Sequence, residues 1–498
     1  MKKTLLVTVT ALFLAQAAAA QLRAGVAKVD ITDRDAGPVN DRSYVKALVL
    51  KDDTTTIVIV TVDAVALAEI GRIPDSFMSS VRSRLQKELG ISPASLVVNA
   101  SHCHSVVRRD SDVLAVQAVK EAWRNLTPVR AGAGRGREDQ IMENRRLRMK
   151  DGSELDVRRA YSLPRDEDVA GVGPVDPEIG LLRLDRLDGR PFAVLYNFAC
   201  HPIHGVPGGG NTADYPAFAS KVIEENLGAM ALFIQGSAGD INPAMYKAVH
   251  QPHDAEPLGN LLGLSVLRAW RTIRTRDGGP LRVINEVLAL PRGADLERRM
   301  ASIQAEQARL LESLTGTSLN LKTFISLFVQ YKLSPEFPSY YSHRYLHEKS
   351  LGREDLRNLD AENRTNLEQY IRNVQTMEQL TRLQTNLALL RKHHAQNVAA
   401  GTKTLDVEVA GLRIGDFVLV TFPGELTVEI GLGIKKRAPS PFTFVAGYTN
   451  GYIYYTPTVK QRTNTGYAQE DCDSLVAPEW QPLFEERAAA VLKKLAAQ

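Results

Sequence analysis

The 498-residue chain carries 61 Lys and Arg against 57 Asp and Glu, and 44% of its residues are hydrophobic. A net charge of +4 with the two signs interspersed excludes the basic stripe of a nucleic-acid binder. The length exceeds one ordinary domain, so one large α/β domain with an insertion, or two domains, is expected, and three cysteines cannot build a disulfide framework.

Residues 1–20 read as a secretory signal peptide: Lys2-Lys3, an apolar stretch from 4 to about 16, then Ala17 to Ala20 before Gln21. No cysteine follows the small-residue site, which argues against a lipoprotein anchor. No later run reaches the roughly 18 uninterrupted apolar residues of a spanning helix. The mature chain is therefore expected to be exported, periplasmic or secreted, with no integral membrane span and no nucleic-acid partner.

From residue 22 to about 290, short apolar runs at 45–50, 56–62, 96–100, 192–199 and 231–235 alternate with helical stretches at 73–89 and 217–227. This alternation predicts an α/β fold with a mostly parallel or mixed sheet and flanking helices, forming the first part of a catalytic domain at 21–293. Active sites of such sheets gather at strand ends. Residues 294–400 change character and read as a helical insertion, with Leu367, Tyr370, Ile371, Val374, Met377, Leu380, Leu383, Leu387 and Leu390 in one apolar stripe. A helical hairpin packed on the sheet domain is expected, rather than a lid or a dimer interface. Lys392, His393 and His394 are expected on a solvated helix end. Residues 401–498 return to strands, with a hairpin at 412–416 and a last helix at 480–495, and complete the catalytic domain.

Three strand ends carry the chemistry. His102-Cys103-His104 closes the run Ser95-Leu-Val-Val-Asn-Ala-Ser101, so strand alternation would turn both imidazoles into one pocket and Cys103 away from it. His201 closes Phe192-Ala-Val-Leu-Tyr-Asn-Phe-Ala-Cys200, and Phe417-Val-Leu-Val-Thr-Phe-Pro-Gly424 delivers Glu425. A hydrolytic zinc takes about three or four N/O ligands and keeps a position open for water, whose pKa it lowers toward neutrality. His102, His201 and Glu425 suit one such metal centre. Gly208-Gly209-Gly210 reads as a flexible loop, since no Lys-Ser pair opens a helix after it. Cys103 and Cys200 are expected as buried free thiols rather than a disulfide.

Several motifs in a shared order resemble the neutral (non-lysosomal, neutral/alkaline) ceramidase family. They are Ala24-Gly-Val-Ala-Lys-Val-Asp-Ile-Thr32, Val62-Asp63, Asn99-Ala-Ser-His-Cys-His-Ser105, Asn144-Arg145-Arg146, Phe198-Ala-Cys-His-Pro202, Ala213-Asp-Tyr-Pro216, Gly239-Asp-Ile-Asn-Pro243, Phe422-Pro-Gly-Glu425 and Asn450-Gly-Tyr-Ile-Tyr-Tyr455. The resemblance spans most of the mature chain. It implies a zinc amidase with one Zn2+ held by His102, His201, Glu425 and Tyr455, although the residues alone leave Tyr452 and Tyr454 equally eligible. It further implies that His104, Arg145 and Tyr467 contact the substrate amide, an imidazole being suited to proton transfer and a guanidinium and a phenol to a developing oxyanion. The implied reaction is hydrolysis of an N-acyl bond, N-acylsphingosine among the substrates, by a zinc-activated water.

The chain departs from that family in three places. Asn242 replaces the family's serine in the Gly-Asp-x-x-Pro turn, which excludes a serine nucleophile there. Val106-Val-Arg-Arg109 replaces the usual Ser-Gly-Pro-Gly continuation, and the additional C-terminal immunoglobulin-like domain of a typical ceramidase is not expected after the tyrosine motif. The competing readings are a zinc hydrolase of another ester or N-acyl substrate, and a non-catalytic metal-binding exoprotein. His104, Arg145 and Tyr467 speak against the second, because a purely structural zinc needs only its ligands.

Overall fold

Along Tyr44–Lys51 and Thr56–Val62 every inner residue is apolar or buried, and successive side chains enter two different cores. Val45, Ala47, Val49, Val58, Val60 and Val62 face one core, while Leu48, Leu50, Ile57 and Ile59 face another. A strand covered on both faces reads as a continuous hydrophobic run. The computed structural model that shows this describes residues 21–157, 163–246, 248, 250–333, 342–464 and 468–497. The signal-peptide expectation for 1–20 and the expectation for Tyr467 lie outside the described residues.

These strands belong to an eight-stranded sheet in the spatial order Met230–Gln235, Pro191–Phe198, Glu178–Arg186, Thr127–Arg137, Arg23–Asp30, Tyr44–Lys51, Thr56–Val62, Leu96–Ala100. Only its two outer pairs are parallel, Pro191–Phe198 with Met230–Gln235 and Thr56–Val62 with Leu96–Ala100. The sheet is mixed and its centre is antiparallel. A four-stranded sheet, Leu281–Pro291, Thr404–Ile414, Phe417–Thr421 and Thr443–Ala446, lies against it. Leu412, Ile414, Phe417, Leu419 and Phe444 interdigitate with Leu182, Leu195, Leu232 and Ile234 between the sheets. Helices Phe77–Leu89, Ser111–Arg124, Asp214–Leu227 and Ala255–Trp270 cover the larger sheet's outer face, and Val428–Arg437 and Trp480–Ala496 cover the smaller one's. The result is a helix–sheet–sheet–helix sandwich.

Two helix starts differ from the sequence pattern. The first helix begins at Phe77 instead of 73, after Pro74, whose carbonyl accepts from the Phe77 amide. The third begins at Asp214 instead of 217, because Pro216 sits in the first turn, where no amide hydrogen is required.

Between 296 and 400 the described residues form helices Leu296–Glu312, Leu321–Leu333, Ser342–Ser350 and Asp355–Ala400. The last has 46 residues and outruns the 17-residue helix beside it. Its apolar stripe is accordingly not one packed face. Leu383, Leu387 and Leu390 are buried with Leu296, Ile303, Leu310 and Cys472, whereas Val374 and Met377 are exposed and Tyr370 stacks on Phe324. The expected solvated end is corrected at His393, whereas Lys392 is exposed. His393 is fully buried, bonded to Asp473 (2.7 Å) and Gln396 (2.9 Å), because the helix end is pressed into the strand-end loops rather than held in water.

Candidate metal centre

The carboxyl ends of strands from both sheets meet at one edge of the sandwich, and side-chain amides hold them there. Asn99 Nδ2 donates to the Gly447 carbonyl (2.8 Å) and Thr449 Oγ1 (2.9 Å), while its Oδ1 accepts from the Gln235 amide (2.8 Å). One asparagine thereby ties three chain segments together at the level where the apolar runs end. Gly239 approaches the carbonyls of Glu425 and Leu426 so closely that a Cβ would lie 2.6 Å from the first. The Gly-Asp turn must therefore be glycine to seat against the Glu425 strand.

Past Ala100 the chain leaves the sheet. The Ser101 and His102 amides donate to the carbonyls of Val62 (2.9 Å) and Ala64 (3.0 Å), and His102 takes φ +67°. The strand alternation expected for 102–104 is thus replaced by a turn, though its consequence stands. His102 and His104 line one cavity, their rings edge-on at 5.6 Å, and Cys103 is buried away from it. Tyr448 and Tyr454, which touch the same cluster, also hold positive φ, a costly conformation that concentrates at functional sites.

Nδ1 of His102 lies 2.6 Å from the Val65 carbonyl, and Nδ1 of His201 lies 3.0 Å from the Ile241 carbonyl. A carbonyl only accepts, so both rings carry their hydrogen on Nδ1 and present a bare Nε2. Both Nε2 atoms face Glu425 Oε2, at 3.5 Å from His102 and 3.1 Å from His201. The three ligand atoms fall within 4.8 Å of one another, and all three residues are buried. Two lone pairs and a carboxylate oxygen aimed at one point form a donor set for a cation, and backbone carbonyls fixing the tautomer are what metal-binding histidines ordinarily have. Burial lowers the His102 imidazole to about 4. Burial would raise the Glu425 carboxyl, yet it is held below its ordinary value, with the Tyr452 hydroxyl donating to it.

The geometry separates the three eligible tyrosines. Tyr452 donates to Glu425 Oε1, and Tyr448 donates to Oε2 at 3.2 Å; burial and the adjoining carboxylate push both phenols well above their usual value. They are neutral donors. Tyr454 directs its hydroxyl away from Glu425, donating to Glu69 and accepting from Gln396. Tyr455 lines the cavity, and its hydroxyl receives Arg145 Nη2 at 3.2 Å, so a cation stands beside it to support an ionised phenol.

Arg145 is buried and spread over several acceptors: Nε to Glu470 (2.6 Å), Nη1 to Asn242 Oδ1 (3.0 Å), and Nη2 to the Gly239 carbonyl as well as Tyr455. Burial works against its charge, yet Tyr455 and Glu470 hold the guanidinium protonated far into alkaline pH. Asn242 therefore takes up Arg145 with its carbonyl oxygen, leaving a buried Nδ2 without a protein partner. Asp214 also lines the cavity, and burial lifts its carboxyl to about 7 although the Gly205 and Tyr215 amides donate to it.

The cavity encloses about 530 Å³ and brings together His102, His104, Arg145, His201, Glu425 and Tyr455. A larger one of about 950 Å³, between the insertion and residues 149–168, shares no lining residue with it. Sequence reasoning missed Tyr448 and Glu470, and it named Tyr452 and Asn99 without the hydrogen-bonding roles they have here. Tyr452 was within reach of the tyrosine motif, but nothing local marks Glu470 as the partner of an arginine 325 residues away. All three cysteines are free and buried.

No family model matches the sequence, and no curated protein matches it. Among solved structures, the neutral ceramidase from Pseudomonas aeruginosa superposes with a TM-score of 0.58 at 16% identity, over 96% of this chain and 76% of that one. A ceramidase complexed with C2 gives 0.58 at 15% identity with the same coverage. The chain has the neutral ceramidase fold. In this ceramidase fold the sheet positions the donor set through strand ends that are far apart in sequence, and no helix among the described residues is long and apolar enough to cross a membrane.

Proposed function

We propose that the protein is an exported zinc-dependent amide hydrolase of the neutral ceramidase family, acting on the C–N bond of an N-acyl lipid or small molecule. The observation that carries this reading is the pair of bare Nε2 atoms facing the Glu425 carboxylate in an open cavity of the ceramidase fold. His102, His201, Glu425 and Tyr455 would hold the metal. Zinc bound there supplies an acidified water and polarises a carbonyl.

The remaining steps belong to the chain. His104, exposed at the cavity and edge-on to His102, is placed to move a proton between water and the leaving amine. Arg145 stabilises Tyr455 as a ligand and adds positive potential where an oxyanion develops. The sequence resemblance implies that Tyr467 contacts the substrate amide, and a phenol there is suited to donate to the oxyanion. Hydrolysis consumes one water and yields a carboxylate and an amine.

The test is a screen of the mature, zinc-loaded protein against N-acyl sphingosines, N-acyl amino acids and N-acetylated sugars, with and without chelator. Chelator-sensitive release of free amine from at least one class is expected. No hydrolysis of any class, or full activity after metal removal, would overturn the reading.

A further inference from the structure

The end of the 46-residue helix Asp355–Ala400 forms part of the wall of the catalytic cavity, and it contributes a cation. Lys392 lines that cavity with its ammonium 4.1 Å from the centre of the Tyr454 ring. Tyr454 in turn lies edge-on to Tyr452 at 5.2 Å, and Tyr452 donates to Glu425. Lys392 is thus two aromatic rings away from the proposed metal ligand.

An exposed lysine on a helix end is ordinarily a solvated charge. Two observations set this one apart. First, its position is fixed from below: His393 is fully buried, bonded to Asp473 at 2.7 Å, and its ring meets Tyr454 edge-on at 4.6 Å. The Asp473 carbonyl accepts from the Tyr455 amide at 3.0 Å, so the helix end is locked to the strand that carries the proposed tyrosine ligand. Second, the neighbouring charges are already engaged. Glu69 accepts from Tyr454 and Gln396, Asp473 from His393, and Glu297 from His394, whereas among the described residues no carboxylate lies within ion-pair reach of the Lys392 ammonium. The other cation of the cavity, Arg145, is matched by Glu470.

We infer that Lys392 is a specificity-determining residue that selects N-acyl compounds carrying an anionic group, a carboxylate, sulfonate or phosphate a few bonds from the amide. The inference rests on the amidase reading for the place of the amide. A cation held on an aromatic face at the wall of a partly enclosed cavity is weakly hydrated on that side and gains from an anionic partner more than a surface lysine does. His393 acts as the positioning residue.

The experiment compares two probes of equal reach, N-lauroyltaurine and N-lauroylethanolamine, binding to the zinc-loaded protein by calorimetry, with hydrolysis followed separately. A sulfonate is a poor metal ligand, so preference for it reports the cation and not the metal. The taurine conjugate should bind about tenfold more tightly, the low end of what a charge-assisted hydrogen bond contributes. Lys392→Gln should abolish that ratio, and Lys392→Arg should keep most of it. Failure of the taurine conjugate to bind, equal affinities in the parent protein, or a ratio that persists in Lys392→Gln would overturn the inference. Should the ratio behave as expected while neither probe nor any other N-acyl compound is hydrolysed, the amidase reading fails and the anion selectivity of the cavity stands.

Discussion

Glu425 and Tyr455 are directly opposed residues of a two-residue parallel ladder, continued by Leu426 and Thr456 and closed by the Glu425 amide donating to the Tyr454 carbonyl at 2.9 Å. Neighbouring strands lie about 4.8 Å apart, so side chains at matched positions emerge on one face at a spacing that a single ion can bridge. Tyr455 also receives Arg145, and Glu425 receives Tyr448 and Tyr452. The ladder therefore couples the acidic and phenolic halves of the proposed centre.

The first prediction concerns metal content. The purified protein should contain about one zinc per chain. His201→Ala and Glu425→Ala each remove one of three mutually facing donors and should lose most of it, as read by elemental analysis after dialysis. Full occupancy in both variants would eliminate the centre.

A finer test addresses the groups behind the ligands. Tyr452→Phe removes the donor to Glu425 Oε1 while keeping the ring that packs on Tyr454. Loss of such a partner typically costs about 10- to 100-fold in metal affinity or activity. Chelator competition should show a drop of that size with an unchanged far-UV spectrum. Parent-like affinity would mean that Tyr452 does not tune the ligand.

Asn242 supports a prediction about the reaction path. Its Oδ1 is taken by Arg145, and no hydroxyl stands at this position of the Gly-Asp-x-x-Pro turn. If water attacks, as proposed, a reaction quenched during turnover of a good substrate should show only the parent mass. A stoichiometric acyl adduct would contradict that path.

What the sequence could reveal differed by length scale. Runs such as 56–62 and 96–100 are apolar on both faces, so their ends, and with them His102, His201 and Glu425, stood out without any knowledge of the fold. The turn at His102 did not, because a positive φ at a non-glycine residue has no compositional mark. Arg145 with Glu470, and His393 with Asp473, join segments 325 and 80 residues apart, and each polar side chain alone reads as solvated. The insertion misled for the same reason: Val374 and Leu387 share one periodic stripe, and only the length of the partner helix decides which of them is covered.

Tyr467 and His104 test catalysis apart from metal binding. The family resemblance implies that Tyr467 contacts the substrate amide, and a phenol that donates to the developing oxyanion from there is typically worth about 2.7 to 4 kcal/mol, or roughly a hundred- to a thousand-fold in rate. Tyr467→Phe should keep its zinc and lose turnover by about that factor with little change in KM, because the bond matters mainly in the transition state. His104→Ala should behave similarly. Parent rates in both would show that the carry-over of these residues is wrong.

The last prediction concerns how the two sheets stay in register above the site. Arg82 donates through both terminal nitrogens to Glu408, which also accepts from Asn285 (2.8 Å) and Asn450 (3.1 Å), while Asn450 Oδ1 accepts from the Val98 amide at 2.8 Å. One carboxylate thus joins the first helix, the smaller sheet and the tyrosine loop to the strand that leads to His102. Burial would raise the Glu408 carboxyl, but Arg82, Asn285 and Asn450 hold it below its usual value. A depressed carboxyl stabilises the fold above its unfolded pKa of 4.5, and that contribution disappears as the pH falls through the lower folded value. Glu408→Gln should accordingly cost about 2 kcal/mol near neutral pH, in the range of hydrogen bonds to charged groups. The difference in thermal midpoint between variant and parent should shrink steadily below about pH 4.5. A difference that stays constant from pH 7 to pH 3 would show that the ionised carboxylate contributes nothing, and that only its shape is needed to hold the sheets.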